Sequence, residues 1–526
     1  MRRLASQVPK VTAGFAVMLS LACAGSASEK GGAGAGSVGS ALVITNAQIV
    51  DGTGTPVRGG SVRVVGDQIT AVGEVKPEKG DRVFNAQGMV LAPGFIDTHS
   101  HATGGLRSHP DALAAVSQGI STVIGGQDGG SQRPLKPFLD SLRARGTAVN
   151  VAVYAGHGSI RAQVLGDDFK RVATTAEVER MRLLLKDDLD AGALGLSSGL
   201  EYDPGIYSSS DELIVLARET AAAGGRYISH IRSEDFAFWK AIDEIIRIGR
   251  EAKLPVQISH AKLAMRDLWG HADSLVATLD RARAEGVNIT ADIYPYLYWQ
   301  SGLTVLFPKR DFENRKSAEF ALTQTSTPQG LLLGAYAPNP AYAGKTVAEI
   351  AKIRGVDSVT VLIDLIRDAE ALTKKLGPAA DTVDVESVIG TSMVEEDVET
   401  IMRWPYANLC TDGQLDGAHP RGFGSFPRFF GHYVRDRKLM SLEEGVRRAT
   451  SLAAANVGLK GRGTIAVGQF ADLVLFDAAT ISDRATTAAP HALSAGVERV
   501  WVNGVEVYAA GKVSGATPGR VIRRGS

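Results

Sequence analysis

The sequence predicts an α/β protein built around a (β/α)8 barrel of the TIM type, and three observations carry that expectation. The middle of the chain alternates short apolar runs with amphipathic helix patterns. Residue types that bind metals or move protons stand just past the ends of those runs, where such a barrel gathers its chemistry. Gly-punctuated strand patterns at both chain ends predict a small β-sandwich assembled from the two together.

Composition fits this architecture and excludes others. A chain of 526 residues is long enough for one large domain plus a second. Its 44% hydrophobic and 22% charged residues describe an ordinary globular protein. Lys+Arg and Asp+Glu number 57 each, so net charge directs the chain to neither nucleic acid nor a membrane surface.

The first residues have the form of a bacterial export signal. Arg2, Arg3 and Lys10 precede the apolar run Val11–Leu21, and small residues follow from Ala22 to Ser28. Residues 1–28 are therefore expected to direct export, to the periplasm or, through Cys23, to a lipid anchor, although Ser20 stands where a lipid-attachment motif usually has Leu. Residues 29–40 form a Gly/Ser linker. Once the signal is cleaved, Cys410 is the one cysteine certain to remain, so no internal disulfide is expected.

The sandwich is expected from residues 41–90 and 456–526. Ala41–Ile44, Asn46–Val50, Ser61–Val65 and Gln68–Val72 supply its first part, and Ala471–Phe476, Val497–Val502 and Val505–Tyr508 its second. The barrel is expected over residues 91–455. The apolar run Met89–Pro93 feeds its first strand, followed by Thr122–Ile124, Val149–Ala155, Gly195–Ser197, Tyr227–Ser229, Val256–Ile258, Asn288–Ile293 and Asn408–Cys410. Helices are expected over Thr175–Ala191, Ser210–Ala223, Asp235–Ala252 and Ser274–Glu285, with Asp211 and Glu212 suiting a first turn and Gly224-Gly225 a stop. Residues 298–401 break the rhythm; they read as an insertion between the seventh and eighth strands, with helices over Thr346–Ile353 and Ser358–Ala369, lying as a lid over the barrel mouth.

The strand ends carry the chemistry. His99 and His101 lie two residues apart after the first strand, a spacing that turns both rings the same way on an extended chain. Glu201 ends the fourth strand's run, His230 ends the fifth, His260 ends the sixth, and the eighth leads through Thr411 to Asp412. His157 closes the third strand without an assigned role. Any one of these is ordinarily a satisfied polar group; their joint position at one barrel mouth is the signal.

These motifs resemble the amidohydrolase superfamily, and within it the D-aminoacylase (N-acyl-D-amino-acid deacylase) branch. The similarity runs from Ala92-Pro93-Gly94-Phe95-Ile96-Asp97-Thr98-His99-Ser100-His101 through Ser229-His230-Ile231-Arg232, Ile258-Ser259-His260-Ala261-Lys262, Asp292-Ile293-Tyr294-Pro295-Tyr296 and Thr411-Asp412-Gly413 to Gly463-Thr464-Ile465-Ala466-Val467-Gly468. It also includes His419-Pro420-Arg421 to Phe426-Pro427-Arg428. The resemblance implies that His99, His101, His230 and His260 bind zinc, and that Asp412 takes a proton from the attacking water and delivers it to the leaving amine. It implies that Lys262 and Tyr294 hold the substrate's α-carboxylate, with Arg232 a further candidate.

The sequence departs from that branch at one point. D-aminoacylases carry a metal-binding Cys after the second strand, and the matching stretch here is Gly126-Gln127-Asp128-Gly129. Glu201 is then expected to bridge two zinc ions; the alternative is a single ion with Asp128 as an added ligand. The function implied is hydrolysis of the linear amide of an N-acyl-D-amino acid. A dipeptidase or D-aminopeptidase, a cyclic-amide hydrolase and a non-catalytic ligand-binding barrel are the other classes. The expected partner is a small amide with a free carboxylate, with no nucleic acid and no membrane span.

Overall fold

Both ends of the described chain meet in one sheet. In this computed structural model, which describes residues 41–526, nine strands join the two ends. Leu42–Ile49 pairs antiparallel with Arg58–Val65, which pairs with Gln68–Gly73; Arg82–Asn85 lies parallel to Leu42–Ile49. From the other end, Leu473–Phe476, Val497–Val502, Val505–Ala509 and Lys512–Val513 continue the order. Alternation makes this sheet. Val62 and Val64 point inward to Ile44, Ile69, Leu473, Leu475 and Trp501, while Arg63 between them pairs with Asp81. The expected export signal, the linker and Cys23 lie outside the described residues.

The expected first barrel strand is divided. Val90–Pro93 belongs to the end sheet, where Leu91 pairs with both Ile49 and Leu475. The barrel starts after Gly94, with Phe95–Asp97. A Cβ at Gly94 would come within 2.4 Å of the Ser121 hydroxyl, so only glycine lets the chain cross this closely from sheet to barrel.

Eight parallel strands make the barrel. Phe95–Asp97, Ile120–Gly125 and Asn150–Val153 form one ladder. Ala155–Gly156, Gly195–Gly199, Arg226–His230, Val256–Ile258, Ile289–Ile293 and Ala407–Leu409 form another. The third strand belongs to both ladders and is interrupted only at Tyr154. The last and first strands are tied beyond their ends. The Asp412 amide donates to the His99 carbonyl at 2.8 Å and the His101 amide to the Gly413 carbonyl at 2.9 Å. Asp97 accepts from the Thr411 amide and hydroxyl at 2.8 and 2.6 Å. Apart from half-buried Arg226, the strands are buried, as parallel strands covered on both faces must be.

Helices fill the crossovers close to where the periodicity puts them. Thr175–Asp190 starts at a capping box of Thr174 and Glu177, and Ser210–Ala222 starts at Ser209, whose hydroxyl accepts from the Glu212 amide. Phe238–Ala252 begins three residues later than expected, because residues 233–237 form a turn closed by the Ser233 hydroxyl. Ala272–Ala284 follows. His157 opens the helix His157–Leu165 rather than closing the third strand.

The insertion has a sheet of its own, which local sequence pattern does not announce. Tyr298–Ser301 and Leu331–Tyr336 both pair antiparallel with Glu386–Thr391. Its expected helices run Val347–Arg354 and Ser358–Leu376. No described helix is long and apolar enough to cross a membrane.

Candidate active site

The strand ends deliver their side chains to one point. His99, His101, Asp128 and Asp412 offer ligand atoms that all lie within 4.8 Å of one another, as do those of Asp128, His230 and His260, and those of Glu201, His230 and Glu234. His99 Nε2 is 3.4 Å from both Asp128 and Asp412, and His101 Nε2 is 3.3 and 3.1 Å from the same two carboxylates. On the far side, His260 Nε2 lies 3.5 Å from Asp128 and 3.0 Å from His230 Nδ1.

Three of the residues that meet there depart from ordinary backbone geometry. Asp128, His260 and Asp412 have φ of 52°, 35° and 51°, in the left-handed region that non-glycine residues avoid. Each stands in the turn just after its strand, so the turn swings the side chain back over the barrel axis. Local packing is tight at one of these turns. The Asp128 carbonyl is so close to Gly199 that a Cβ there would sit 2.2 Å from it.

Some of these polar groups are left without hydrogen bonds. His99 is fully buried, and neither of its ring nitrogens is hydrogen bonded; Asp128 Oδ1 is also without a partner. Buried polar atoms are normally paired, so this set fits a ligand that takes several lone pairs at once. Imidazole nitrogens with carboxylate oxygens are the donor set of zinc. The charges agree. Among the described residues lining the site, seven carboxylates (Asp128, Glu201, Glu234, Asp235, Asp384, Glu386 and Asp412) face one lysine and one arginine, Lys262 and Arg421. For His260, burial and Lys262 oppose protonation, but Glu234, Asp412 and Asp128 outweigh them and push its pKa up to about 10. The field at His101 and His260 favours positive charge, whereas burial and the neighbouring His260 push the His230 pKa down to about 4.

The structure does not bring Glu201 to the His99 side. Its carboxylate meets His230 Nε2 at 2.9 Å, and its ligand-distance group contains His230 and Glu234 alone. Burial and the neighbouring Glu234 raise its pKa. The residue common to both halves is Asp128, in the stretch where the D-aminoacylase resemblance places Cys.

Lys262 is held beside the histidines. Its Nζ donates to both oxygens of Glu234 at 2.6 and 2.7 Å and lies 2.7 Å from His260 Nδ1, fixing the ring whose other nitrogen faces Asp128. Tyr294 lies between two cations. Lys262 Nζ is 5.7 Å and the Arg421 guanidinium 5.0 Å from its ring centre, and its hydroxyl is buried without a hydrogen-bond partner. Arg421 is a site residue that the sequence does not single out, although it stands within the His419-Pro420-Arg421 motif. It is buried and pairs with Asp412 at 2.6 Å. Burial alone would raise the Asp412 pKa, but Arg421 and the surrounding histidines hold it well below the usual carboxylate range. The one advance signal for Arg421 is its place nine residues after Asp412, in the helix that opens at the barrel mouth.

Two residues expected near the site from the sequence lie elsewhere. Arg232 is committed to Glu244, with bonds of 2.8 and 2.9 Å, and does not line the site. His157 bonds Glu212 at 2.8 Å in a buried cluster with Arg161.

Comparison with known proteins agrees with this geometry. The amidohydrolase family matches residues 82–301 and 342–508. An N-acyl-D-glutamate deacylase of Alcaligenes xylosoxydans xylosoxydans is 35% identical over 507 residues, covering 92% of this chain and 96% of that protein. A D-aminoacylase structure concerned with the functional role of its binuclear metal center superposes with a TM-score of 0.80 at 32% identity, over 92% of this chain and 99% of that one. An N-acyl-D-glutamate deacylase from Bordetella bronchiseptica, complexed with zinc and a phosphonate mimic of the tetrahedral intermediate, gives 0.81 at 33% identity with the same coverage.

Proposed function

The chain belongs to the amidohydrolase family, and from that premise we propose that it is a zinc-dependent hydrolase cleaving the linear amide of N-acyl-D-amino acids. The observation that carries this reading is His99, buried with both ring nitrogens unpartnered and facing two carboxylates at the barrel mouth. His99, His101, Asp128 and Asp412 would hold one ion, and Asp128, His230 and His260 a second, with Asp128 shared. Bound zinc polarises an amide carbonyl and lowers the pKa of attacking water to about 7.

The protein's own groups complete the reaction. Asp412, kept ionised by Arg421, accepts the proton of the attacking water and passes it to the departing nitrogen, so that water and amide become carboxylate and amine. The Tyr294 hydroxyl, with Lys262 and Arg421 on either side, takes the α-carboxylate of the amino acid. Both cations already have an acidic partner, so the substrate anion joins existing pairs rather than meeting bare charge.

The test is hydrolysis of N-acetyl-D-methionine by purified protein, followed as free amino acid. Activity should vanish on chelation, return with zinc, and exceed that on the L-enantiomer by at least about a hundredfold. D-terminal dipeptides and cyclic amides belong in the same panel; faster turnover of either would replace the deacylase reading. We further propose export, on the strength of residues 1–28 alone. Recovery of the full-length, uncleaved chain from cytoplasm would contradict it.

A further inference from the structure

A buried carboxylate stands behind His99. The Nε2 atom of that ring faces Asp128 and Asp412, whereas Nδ1 is 3.9 Å from Asp292 Oδ1. Asp292 lies on the barrel strand Ile289–Ile293, two residues before Tyr294 of the anion cluster, and is fully buried. Its Oδ2 accepts from the Gln257 side-chain amide at 2.6 Å, and the Gln257 carbonyl accepts from the Thr290 hydroxyl at 3.0 Å. The Cys410 thiol is hydrogen bonded to it as well. Among the described residues, its one ion-pair neighbour is His99.

Asp292 also reaches the second histidine. The His260 amide donates to Asp292 Oδ1 at 2.6 Å, and the Ala261 amide donates to the Asp292 carbonyl at 2.8 Å. One residue thus takes both amides of the turn in which His260 has a φ of 35°.

Resting on the zinc reading of the site, we propose that Asp292 is a positioning residue for the metal centre. It keeps the single proton of the His99 ring on Nδ1, so that Nε2 presents a lone pair to the ion, and it pins the turn that carries His260. A neutral imidazole has one N–H and one lone pair, and the partner of one nitrogen decides the role of the other. Without a carboxylate behind the ring, Asp128 and Asp412 would draw that proton to Nε2, where it blocks an ion. A buried carboxylate away from lysine and arginine supplies the opposite pull, and the N–H it attracts is the partner it otherwise lacks. Taking the two turn amides asks only for oxygen atoms, which asparagine also has. Facing His99 asks for charge.

The experiment measures zinc affinity by chelator competition, together with the melting temperature of the zinc-free protein. Asp292→Asn keeps an oxygen for the His260 amide, but it is neutral and turns an NH2 group toward that of Gln257. It should melt lower and bind zinc at least about tenfold more weakly. Adding Gln257→Glu gives that NH2 an acceptor and restores the total charge. The double variant should recover the melting temperature and still bind zinc at least about tenfold more weakly, because the new carboxylate faces the substituted amide and not His99. The visible spectrum of the cobalt-loaded protein should change in both variants, since the partner behind a ligating imidazole sets its basicity. Zinc affinity that returns together with the melting temperature, or that Asp292→Asn leaves unchanged, overturns the proposal and makes Asp292 a structural residue. Failure of both variants to fold has the same meaning. If the unsubstituted protein binds no zinc, the metal reading falls first and the inference falls with it.

Discussion

Two buried clusters in this protein are made of the same residue types and have opposite consequences. One is His157, Glu212 and Arg161, sealed between the helices His157–Leu165 and Ser210–Ala222. The other is the set of histidines and carboxylates at the barrel mouth. In the first, a single carboxylate meets a single guanidinium and one imidazole; burial would raise the Glu212 pKa, but His157 and Arg161 lower it. In the second, seven lining carboxylates face one lysine and one arginine, and His99 has neither ring nitrogen bonded. A balanced cluster closed to solvent holds helices together. An unbalanced one that lines an open cavity is poised to bind an additional cation. Stoichiometry and access, rather than residue type, separate structure from function here.

That contrast breaks most readily at Asp412. Asp412→Asn keeps the shape but cannot accept a proton, so kcat for N-acetyl-D-methionine should fall by at least about a hundredfold. Zinc content should change little if the histidines and Asp128 carry most of the binding. A near-normal rate with full zinc would reduce Asp412 to a partner that orients Arg421.

The shared position of Asp128 gives the next largest effect. Purified protein should hold close to two equivalents of zinc, and Asp128→Asn should lose more of it than Glu201→Gln, because Asp128 reaches both halves and Glu201 does not. Elemental analysis of the two variants decides it. Greater loss from Glu201→Gln would restore Glu201 as the bridge.

A smaller effect is expected at the anion cluster. Lys262→Met and Tyr294→Phe should each raise KM by about tenfold for substrates with a free α-carboxylate, and by much less for their amides. Because Lys262 also steadies His260, zinc content must be measured alongside; equal losses on acid and amide would mean that steadying is its whole role.

The balanced cluster should leave catalysis alone. Glu212→Gln breaks a buried ion pair and should cost about 3–5 kcal/mol of stability, read as a lower Tm, with zinc content and KM unchanged. A loss of zinc would merge the two clusters into one functional unit and end the comparison.

Much of this molecule is written in local pattern. Capping signals at Thr174 and Ser209 set helix starts, and apolar runs such as Val256–Ile258 set buried parallel strands. His230 and His260 are legible because a barrel strand must end near them, and strand ends converge at one mouth. The first strand is not, because Val90–Pro93 and Phe95–Asp97 are both apolar; only the crossing at Gly94 assigns them to different sheets. The sheet of the insertion escapes local pattern because Glu386–Thr391 pairs with strands far away in sequence.

Ligand residue types and their places along the chain follow from the sequence by itself, because strand and helix periods are local. Which carboxylate spans the site was decided only by tertiary structure. Asp128 and Glu201 both follow barrel strands, and periodicity does not rank them. The left-handed turn at Asp128, held against Gly199, swings it between the two histidine pairs, while Glu201 is left beside His230. The same holds for the cations. Arg232 and Arg421 each stand within a motif, and long-range packing gives one to Glu244 and the other to Asp412. Side-chain partners across the barrel mouth depend on loops that meet only after the barrel closes, so no local pattern encodes them.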